Sequence, residues 1–323
     1  MSATKVEGDG VVVYEGEGEM GPPHVDFMSR RNPGKCTGKI RRKKCCGREW
    51  FLSPDGYMFL CPFIFTSAIV IMNIYLCWSI LGRLEYYFVL FLVIGGFISA
   101  FQITVSDPGI YPRLLPGEVD PLGDDKTHVF CKVCLIRRPR RAAHCYDCNV
   151  CVLEHDHHCG VLGGCVGIRT LRFFTLFLQM VSIALCFGIS WMIRYIIALS
   201  TGRIPRSPTT STTSTSPRPL LPGQRRRDPA RGDDIMGFQY TVGLLMLLVD
   251  LCTLLMVGGM ACLYLYLTLA SKTRRESKRS QNSCSVLLHP RLVYQNLMRT
   301  LFPPPSLVSS EVREEFFEMD SLV

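Results

Sequence analysis

Charged residues are nearly missing from four stretches of this 323-residue chain, roughly Tyr57 to Leu81, Tyr86 to Val105, Phe173 to Leu199 and Tyr240 to Ala270. Each is long enough to cross about 30 Å of hydrocarbon at about 1.5 Å per residue. With 48% hydrophobic residues and a mean hydropathy of +0.20, that shortage argues against an ordinary soluble domain with buried core helices. The first residues lack an apolar h-region, being acidic and glycine-containing, so no cleavable signal peptide is expected and insertion should begin with the first span. The run Ser207 to Pro219 has almost no apolar side chain and cannot bury enough surface to offset ordering, so a disordered loop is expected there. No internal repeat is read.

Four spans put the N-terminus, the stretch between spans two and three and the C-terminus on one face. Basic residues mark that face as cytosolic: Arg30, Arg31, Lys35, Lys39, Arg41, Arg42, Lys43, Lys44 and Arg48 precede span one, and Lys272, Arg274, Arg275, Lys278 and Arg279 follow span four. The loop between spans three and four dissents with Arg203, Arg206, Arg218, Arg225, Arg226, Arg227 and Arg231, but most of these are distant from the helix ends. The expected layout is a flexible basic tail (1–56), spans one and two (57–105), a Cys-rich cytosolic domain (106–172), span three (173–199), a disordered lumenal loop (200–239), span four (240–270) and a cytosolic C-terminal region (271–323). Cys45 and Cys46 sit in the basic tail beside the membrane, where reversible acylation is possible. Asp250, inside span four, is an expensive group that either serves a function or accepts a hydrogen bond from a neighbouring helix. Arg194, near the end of span three, is expected to snorkel to the interface.

Seven cysteines fall between Cys131 and Cys165: Cys131, Cys134, Cys145, Cys148, Cys151, Cys159 and Cys165, interleaved with His144 and the run Asp156, His157, His158. Disulfides would require an oxidising compartment, whereas Cys-x-x-Cys pairs facing the cytosol read as metal ligands. Two tetrahedral zinc centres need eight donors, which six cysteines and two histidines would fill as two Cys3His sites. One cysteine is then left over. Counting does not say which, but Cys159 is the best candidate, because a nucleophilic thiol needs the acid and imidazole that Asp156 and His157 provide.

This spacing resembles the DHHC protein S-acyltransferases, the palmitoyltransferase family. Asp107, Pro108 and Gly109 match its DPG motif, Phe174 its aromatic after the Cys-rich domain, and Thr273, Arg274, Arg275 and Glu276 stand at its TTxE motif. Within the family, Ser106 to Pro116 and Asn296 to Leu307 look like the Ras-type palmitoyltransferases, which commonly work with a small accessory subunit. The resemblance implies an all-α polytopic membrane protein of four transmembrane helices, with a cytosolic Cys-rich domain of short β-hairpins and loops binding two zinc ions. Carried over by position, Cys131, Cys134, His144 and Cys151 bind one zinc, and Cys145, Cys148, His158 and Cys165 the other. That leaves Asp156, His157 and Cys159 as the catalytic group.

The expected chemistry is a two-step exchange in which Cys159 takes a palmitoyl group from acyl-CoA and passes it to a substrate cysteine at the membrane. His157 would accept the thiol proton, and Asp156 would hold the imidazole in the right tautomer. A run of cations, Arg137, Arg138, Arg140 and Arg141, reads either as a dock for the CoA phosphates or as a solvated face. Partners are membrane proteins with cytosolic cysteines, acyl-CoA, the bilayer and the accessory subunit; no nucleic acid is expected. The expected location is an endomembrane, Golgi or endoplasmic reticulum, or the plasma membrane.

The chain departs from the family pattern after the tetrad, where Gly160, Val161, Leu162, Gly163 and Gly164 replace Pro, Trp and Val, and three glycines are expected to loosen the loop. Thr170 stands for an Asn, and Arg274 for the second Thr of TTxE. These changes put acyl-chain preference in question and motivate an alternative, a catalytically weakened zinc-stabilised membrane scaffold. A transporter reading founders because one intramembrane aspartate is too few polar groups for a path.

Overall fold

The structure, a computed structural model, describes residues 36–114, 120, 122, 123, 127–203, 230–279 and 288–308. Among the described residues four helices are long and apolar enough to cross a membrane: α1 (Leu60–Cys77, preceded by a 3-10 turn at Gly56–Phe59), α2 (Arg83–Val105), α3 (Leu171–Ser200) and α4 (Ala230–Leu269). Their outer faces carry exposed Ile64, Tyr75, Leu84, Leu255 and Met256, an apolar surface that suits lipid and not water. Between them, Cys77, Val89, Trp191, Met192, Tyr195 and Leu199 form one buried cluster. A second cluster, Ala100, Ile103, Phe174, Leu178, Ala261, Tyr264 and Leu267, packs α2, α3 and α4 together at their other ends.

Helix bounds differ from the apolar stretches. The first helix is shorter than Tyr57 to Leu81, the second takes in Arg83, Leu84 and Glu85, and the fourth begins at Ala230, well before Tyr240 and inside the segment expected to be loop. Hydropathy marks only the part of a helix that suits hydrocarbon, while backbone hydrogen bonding continues past it. Ser207 to Pro219 lies outside the described residues. Arg194 pairs near the helix ends: its guanidinium, on a side chain 40% exposed, sits 2.6 Å from Glu85 Oε2, which also accepts from Trp191 Nε1 at 3.0 Å.

Beside the membrane helices stand the short β-hairpins expected of the Cys-rich region, and a further hairpin precedes the first helix, so the all-α label holds only for the membrane part. The end of the basic tail is not a free coil, for β1 (Arg41–Cys45) and β2 (Arg48–Leu52) pair antiparallel. Cys46 (φ 53) and Gly47 (φ 74) form a two-residue left-handed turn, whose twist matches the strands. After α2 come β3 (Ile110–Tyr111) and three hairpins: β4 (Val129–Cys131) with β5 (Ile136–Arg138), β6 (Ala143–Cys145) with β7 (Val150–Val152), and β8 (His157–Cys159) with β9 (Gly164–Val166). β3 extends the second hairpin into the sheet β3-β7-β6.

The hairpins begin at Val129, Ala143 and His157, a period of 14 residues. Their turns place a left-handed residue at the same point each time: Leu135 (φ 53), Asn149 (φ 53) and Gly163 (φ 68). An internal repeat is therefore present, contrary to the sequence reading. It is shorter than the usual repeat periods of about 20–50 residues, and few side chains in it recur.

After α4, α5 (Arg274–Arg279) and α6 (Pro290–Leu301) lead the chain back over the hairpins. Asn296 Nδ2 donates to Leu269 O at 2.8 Å, Arg172 to Leu301 O at 2.8 Å, and Leu307 is buried beside Tyr111 and Leu114. Asp107 of the DPG turn accepts from the N–H groups of Gly109 and Ile110 at 2.9 and 2.8 Å and from the Ser306 hydroxyl. Gly109 (φ 104) is required there, since a Cβ would lie 2.6 Å from Ile168.

Candidate functional site

Each of the first two hairpin turns presents a pair of thiols. The Cys134 N–H donates to Cys131 Sγ at 3.4 Å, and the Cys148 N–H to Cys145 Sγ at the same distance. Around the first pair, His144 Nδ1 lies 3.7, 3.3 and 3.9 Å from the sulfurs of Cys131, Cys134 and Cys151. Around the second, His158 Nδ1 lies 3.7, 3.5 and 3.4 Å from Cys145, Cys148 and Cys165. Each set of four donor atoms lies within 4.8 Å of one another. A tetrahedral ion with ligands about 2.0–2.3 Å away spaces its donors by about 3.5 Å, so both sets fit a zinc ion in number, chemistry and span.

Outer partners orient these donors. His158 Nε2 faces Asp55 Oδ2 at 3.4 Å, and His155 Nε2 reaches Cys165 Sγ at 3.8 Å. His155, 4% exposed, was not singled out from sequence, where a histidine outside both donor counts gave no signal.

The third hairpin repeats the fold of the other two but not their donor pair. Cys159 stands where Cys131 and Cys145 stand, while Leu162 occupies the place of Cys134 and Cys148. Cys159 is half-buried and belongs to neither donor set; it packs against the cluster of Ala100, Leu162, Phe174 and Tyr264. Burial pushes its thiol up, but hydrogen bonds from His157 and from the Leu162 and Val161 amides outweigh that and hold it below the ordinary cysteine range. Burial works against the His157 cation, yet Asp156 and Cys159 raise the imidazole to about 9. Each group thus favours the charged form of the other.

Asp156 organises this group. It is buried, which raises its pKa, but His157, Tyr264 and the Arg274 amide bring it below the usual carboxylate range. Its Oδ2 accepts from His157 Nδ1 at 2.8 Å and from the Tyr264 hydroxyl at 2.7 Å; its Oδ1 accepts from the Arg274 N–H at 2.6 Å. Nδ1 being so engaged, His157 turns its other nitrogen to Cys159. Tyr264, from α4, was missed in the sequence because an aromatic in a membrane span reads as lipid-facing or core. Phe174 stacks edge-on to both, 5.3 Å from the His157 ring and 4.7 Å from Tyr264.

The departures from the family pattern are absorbed locally. The second Thr of TTxE is absent, yet the Arg274 backbone supplies a donor to Asp156. Glu276 accepts from Thr273 N at 2.8 Å and pairs with Arg141. Thr170, fully buried, accepts from Gly167 N at 3.0 Å and donates to Cys165 O at 2.7 Å. The glycine-rich loop is not loose: a Cβ on Gly163 would lie 1.9 Å from Asp55 O, and one on Gly164 2.8 Å from Ile103 O. These residues let the hairpin tip press against the turn before α1 and the end of α2.

The four arginines do not form one open patch. Arg137 bonds Asp120, Gly123 O and His128 O, and Arg141 bridges Glu154, Glu276 and Ser271 O. Arg138 is half-buried and Arg140 exposed. Cys45 and Cys46 are exposed at the β1–β2 turn, with sulfurs 3.6 Å apart.

A narrow cavity of about 60 Å³ runs among the four membrane helices, lined by apolar side chains including Phe63, Phe97, Ala100 and Phe177. Phe177 and Cys159 pack on the same cluster, which contains Ala100, so the cavity adjoins the thiol. Asp250 and Asn73, on α4 and α1, also line it, 3.3 Å apart through Asn73 Nδ2 and Asp250 Oδ1.

Residues 124–281 match the DHHC palmitoyltransferase family. The chain is 42% identical over 113 residues to Palmitoyltransferase ERF2 of Kluyveromyces lactis, covering 29% of this chain and 31% of the relative. It is 29% identical over 207 residues to Palmitoyltransferase ZDHHC18-B of Danio rerio, covering 51% of this chain and 50% of the relative. Palmitoyltransferase ZDHHC14 of Mus musculus is 31% identical over 138 residues, 32% of this chain and 28% of the relative. The chain spans half or less of the length of these relatives. Through residues 124–281, where the third hairpin carries His157, His158 and Cys159 next to Asp156, the chain is similar to the DHHC palmitoyltransferases.

Proposed function

We propose that the protein is an S-acyltransferase that moves a palmitoyl group from acyl-CoA to cysteines of membrane-associated proteins. The observation that carries this is Cys159, a thiol outside both donor sets, beside His157 and packed on the same cluster as Ala100 and Phe177, which line an apolar cavity. In the first step the Cys159 thiolate attacks the thioester carbonyl, CoA leaves as its thiol with a proton from His157, and an acyl-enzyme forms. In the second, His157 takes the proton of a substrate thiol, whose sulfur attacks the acyl-enzyme and releases Cys159. Asp156 fixes the tautomer and stabilises the imidazolium. Zinc, bound in the two donor sets, would cross-link short hairpins with little core of their own.

Location supports the reading. Burying an acyl chain gains about 0.8 kcal/mol per CH2, so a thiol beside an apolar cavity can hold the thioester without exposing the chain to water. The proposal places the hairpins, both termini and the reaction on the cytosolic face of an endomembrane or the plasma membrane. Arg140, exposed, is available to a CoA phosphate. The tail Asn296 to Leu307, similar to the Ras-type subgroup, extends the proposal to a small accessory subunit.

Incubation of zinc-loaded protein with labelled palmitoyl-CoA tests it. Hydroxylamine-sensitive label on wild type and none on Cys159→Ala is expected. Wild type without label favours the scaffold reading, and label on Cys159→Ala identifies a different nucleophile.

A further inference from the structure

We propose that the inner end of the cavity is a hydrogen-bonding subsite, built by Asp250 and Asn73, that receives a donor group at the far end of the acyl chain; the preferred substrate class is then an ω-hydroxylated fatty acyl-CoA. This rests on the acyl-transfer reading and specifies what the site transfers.

Asp250 is 0% exposed and Asn73 3%. Asp250 Oδ2 and Asn73 Oδ1 are both buried without a hydrogen-bond partner. No side-chain donor lining the cavity is free to reach them. Asn73 Nδ2 serves Ile69 O and Asp250 Oδ1, the Thr66 hydroxyl serves Pro62 O, the Thr253 hydroxyl serves Val249 O, and Trp191 Nε1 serves Glu85. Two acceptors thus face an otherwise apolar cavity, where a buried acceptor left unpaired is strongly unfavourable.

Gly188 of α3 lets that helix pack closely against the pair: a Cβ there would lie 3.3 Å from Asp250 Oδ2 and 3.7 Å from Asn73, so a larger side chain would crowd the carboxylate.

Depth agrees as well. Tyr264 marks the level of the reacting groups on α4, and Phe174 marks it on α3. Asp250 precedes Tyr264, and Gly188 follows Phe174, by the same number of residues, a depth of about 21 Å at about 1.5 Å per residue. An extended palmitoyl chain on Cys159 has a length of that order, so its last carbon arrives at the two orphan oxygens.

What arrives there decides the selectivity. A methyl terminus either leaves both acceptors unpaired or displaces a water that satisfied them, without replacing its bonds. A terminal hydroxyl donates to one acceptor and fills the same volume. The hydroxyl-ended chain therefore binds better whether or not water occupies the subsite in its absence.

The test is a competition on the full-length, zinc-loaded protein in lipid nanodiscs, given equal concentrations of palmitoyl-CoA and ω-hydroxypalmitoyl-CoA, with the adducts on Cys159 resolved by intact mass. Wild type should favour the hydroxylated adduct about tenfold, the worth of one hydrogen bond in a buried site. Asp250→Leu and Asn73→Leu should each reverse the ratio toward palmitoyl, and either variant suffices if the other fails to fold. A wild-type ratio near one, or a preference unchanged in both variants, overturns the subsite. If neither adduct forms, the acyl-transfer reading fails. The subsite is then judged by melting temperature, which ω-hydroxypalmitate should raise more than palmitate in wild type only; equal shifts overturn it.

Discussion

Cys159 and Cys145 occupy the same position in successive hairpins, and only Cys145 joins a metal-donor set. The difference lies at the far side of the turn, where Cys148 supplies a second thiol and Leu162 does not. The turn geometry is otherwise shared. In the second hairpin the Cys148 amide donates to Cys145 Sγ; in the third, the Leu162 amide donates to Cys159. The same turn amide that faces a metal-donor thiol in the second hairpin therefore faces Cys159 in the third, and helps hold its thiol below the ordinary cysteine range.

Restoring the missing thiol should reverse this. Leu162→Cys would give the third hairpin the Cys-x-x-Cys pair of the other two, with His157 beside it. We expect this variant to capture added cadmium, raising bound metal by about one ion per chain, and to lose acyl label more than about tenfold when cadmium is present. Elemental analysis with parallel labelling checks it; a variant labelled as well as wild type in cadmium contradicts the equivalence of the turns.

Tyr264 should matter through Asp156 and not through packing. Tyr264→Phe keeps the ring against Phe174 but removes the hydroxyl bonded to Asp156 Oδ2 at 2.7 Å. The loss of one hydrogen bond to a charged group, about 1.5–3 kcal/mol, should slow Cys159 acylation by roughly ten- to a hundredfold. Asp156→Asn should be slower still, by about 10⁴, through the wrong His157 tautomer. Single-turnover labelling rates, read beside an unchanged metal content, separate a positioning effect from unfolding.

The sequence disclosed the donor spacing and the apolar stretches because both depend on residue type alone. Thiol pairs at fixed separation and charge-free runs need no tertiary information. The hairpin repeat was harder, since it lives in backbone conformation: Leu135, Asn149 and Gly163 share a left-handed φ but no chemistry. Tyr264 and the Arg274 amide were illegible for another reason. One lies far along the chain from Asp156 inside a lipid-facing pattern, and the other acts through a backbone group that every residue but proline possesses. Asp250 was legible as an anomaly, but its partner Asn73 emerged only when α1 met α4.

The two donor sets should respond to substitution unlike Cys159. Cys134→Ala or His144→Ala removes one of four donors from a centre whose binding energy is also folding energy, so zinc content should fall from two toward one per chain and the melting temperature should drop. Cys159→Ala should keep both ions. Unchanged metal in Cys134→Ala would contradict the assignment of that thiol. Chelation of wild type should abolish labelling together with the hairpin fold.

The glycines after Cys159 give a prediction in which neighbouring positions behave oppositely. Gly163 holds φ 68, and a Cβ would lie 1.9 Å from the Asp55 carbonyl oxygen, a backbone atom that cannot rotate away. Gly163→Ala therefore combines left-handed strain with a clash, and should destabilise the third hairpin by more than about 2 kcal/mol. The loss falls on β8, which carries His157, His158 and Cys159, so labelling and zinc in the second donor set should fall together. Gly160 has no atom within 4 Å of its would-be Cβ and an ordinary backbone. Gly160→Ala should leave the melting temperature where it is, or raise it slightly by restricting the unfolded chain. Equal melting temperatures for the two variants would show that the hairpin tip does not press on Asp55, and that the loop is as loose as its composition suggests.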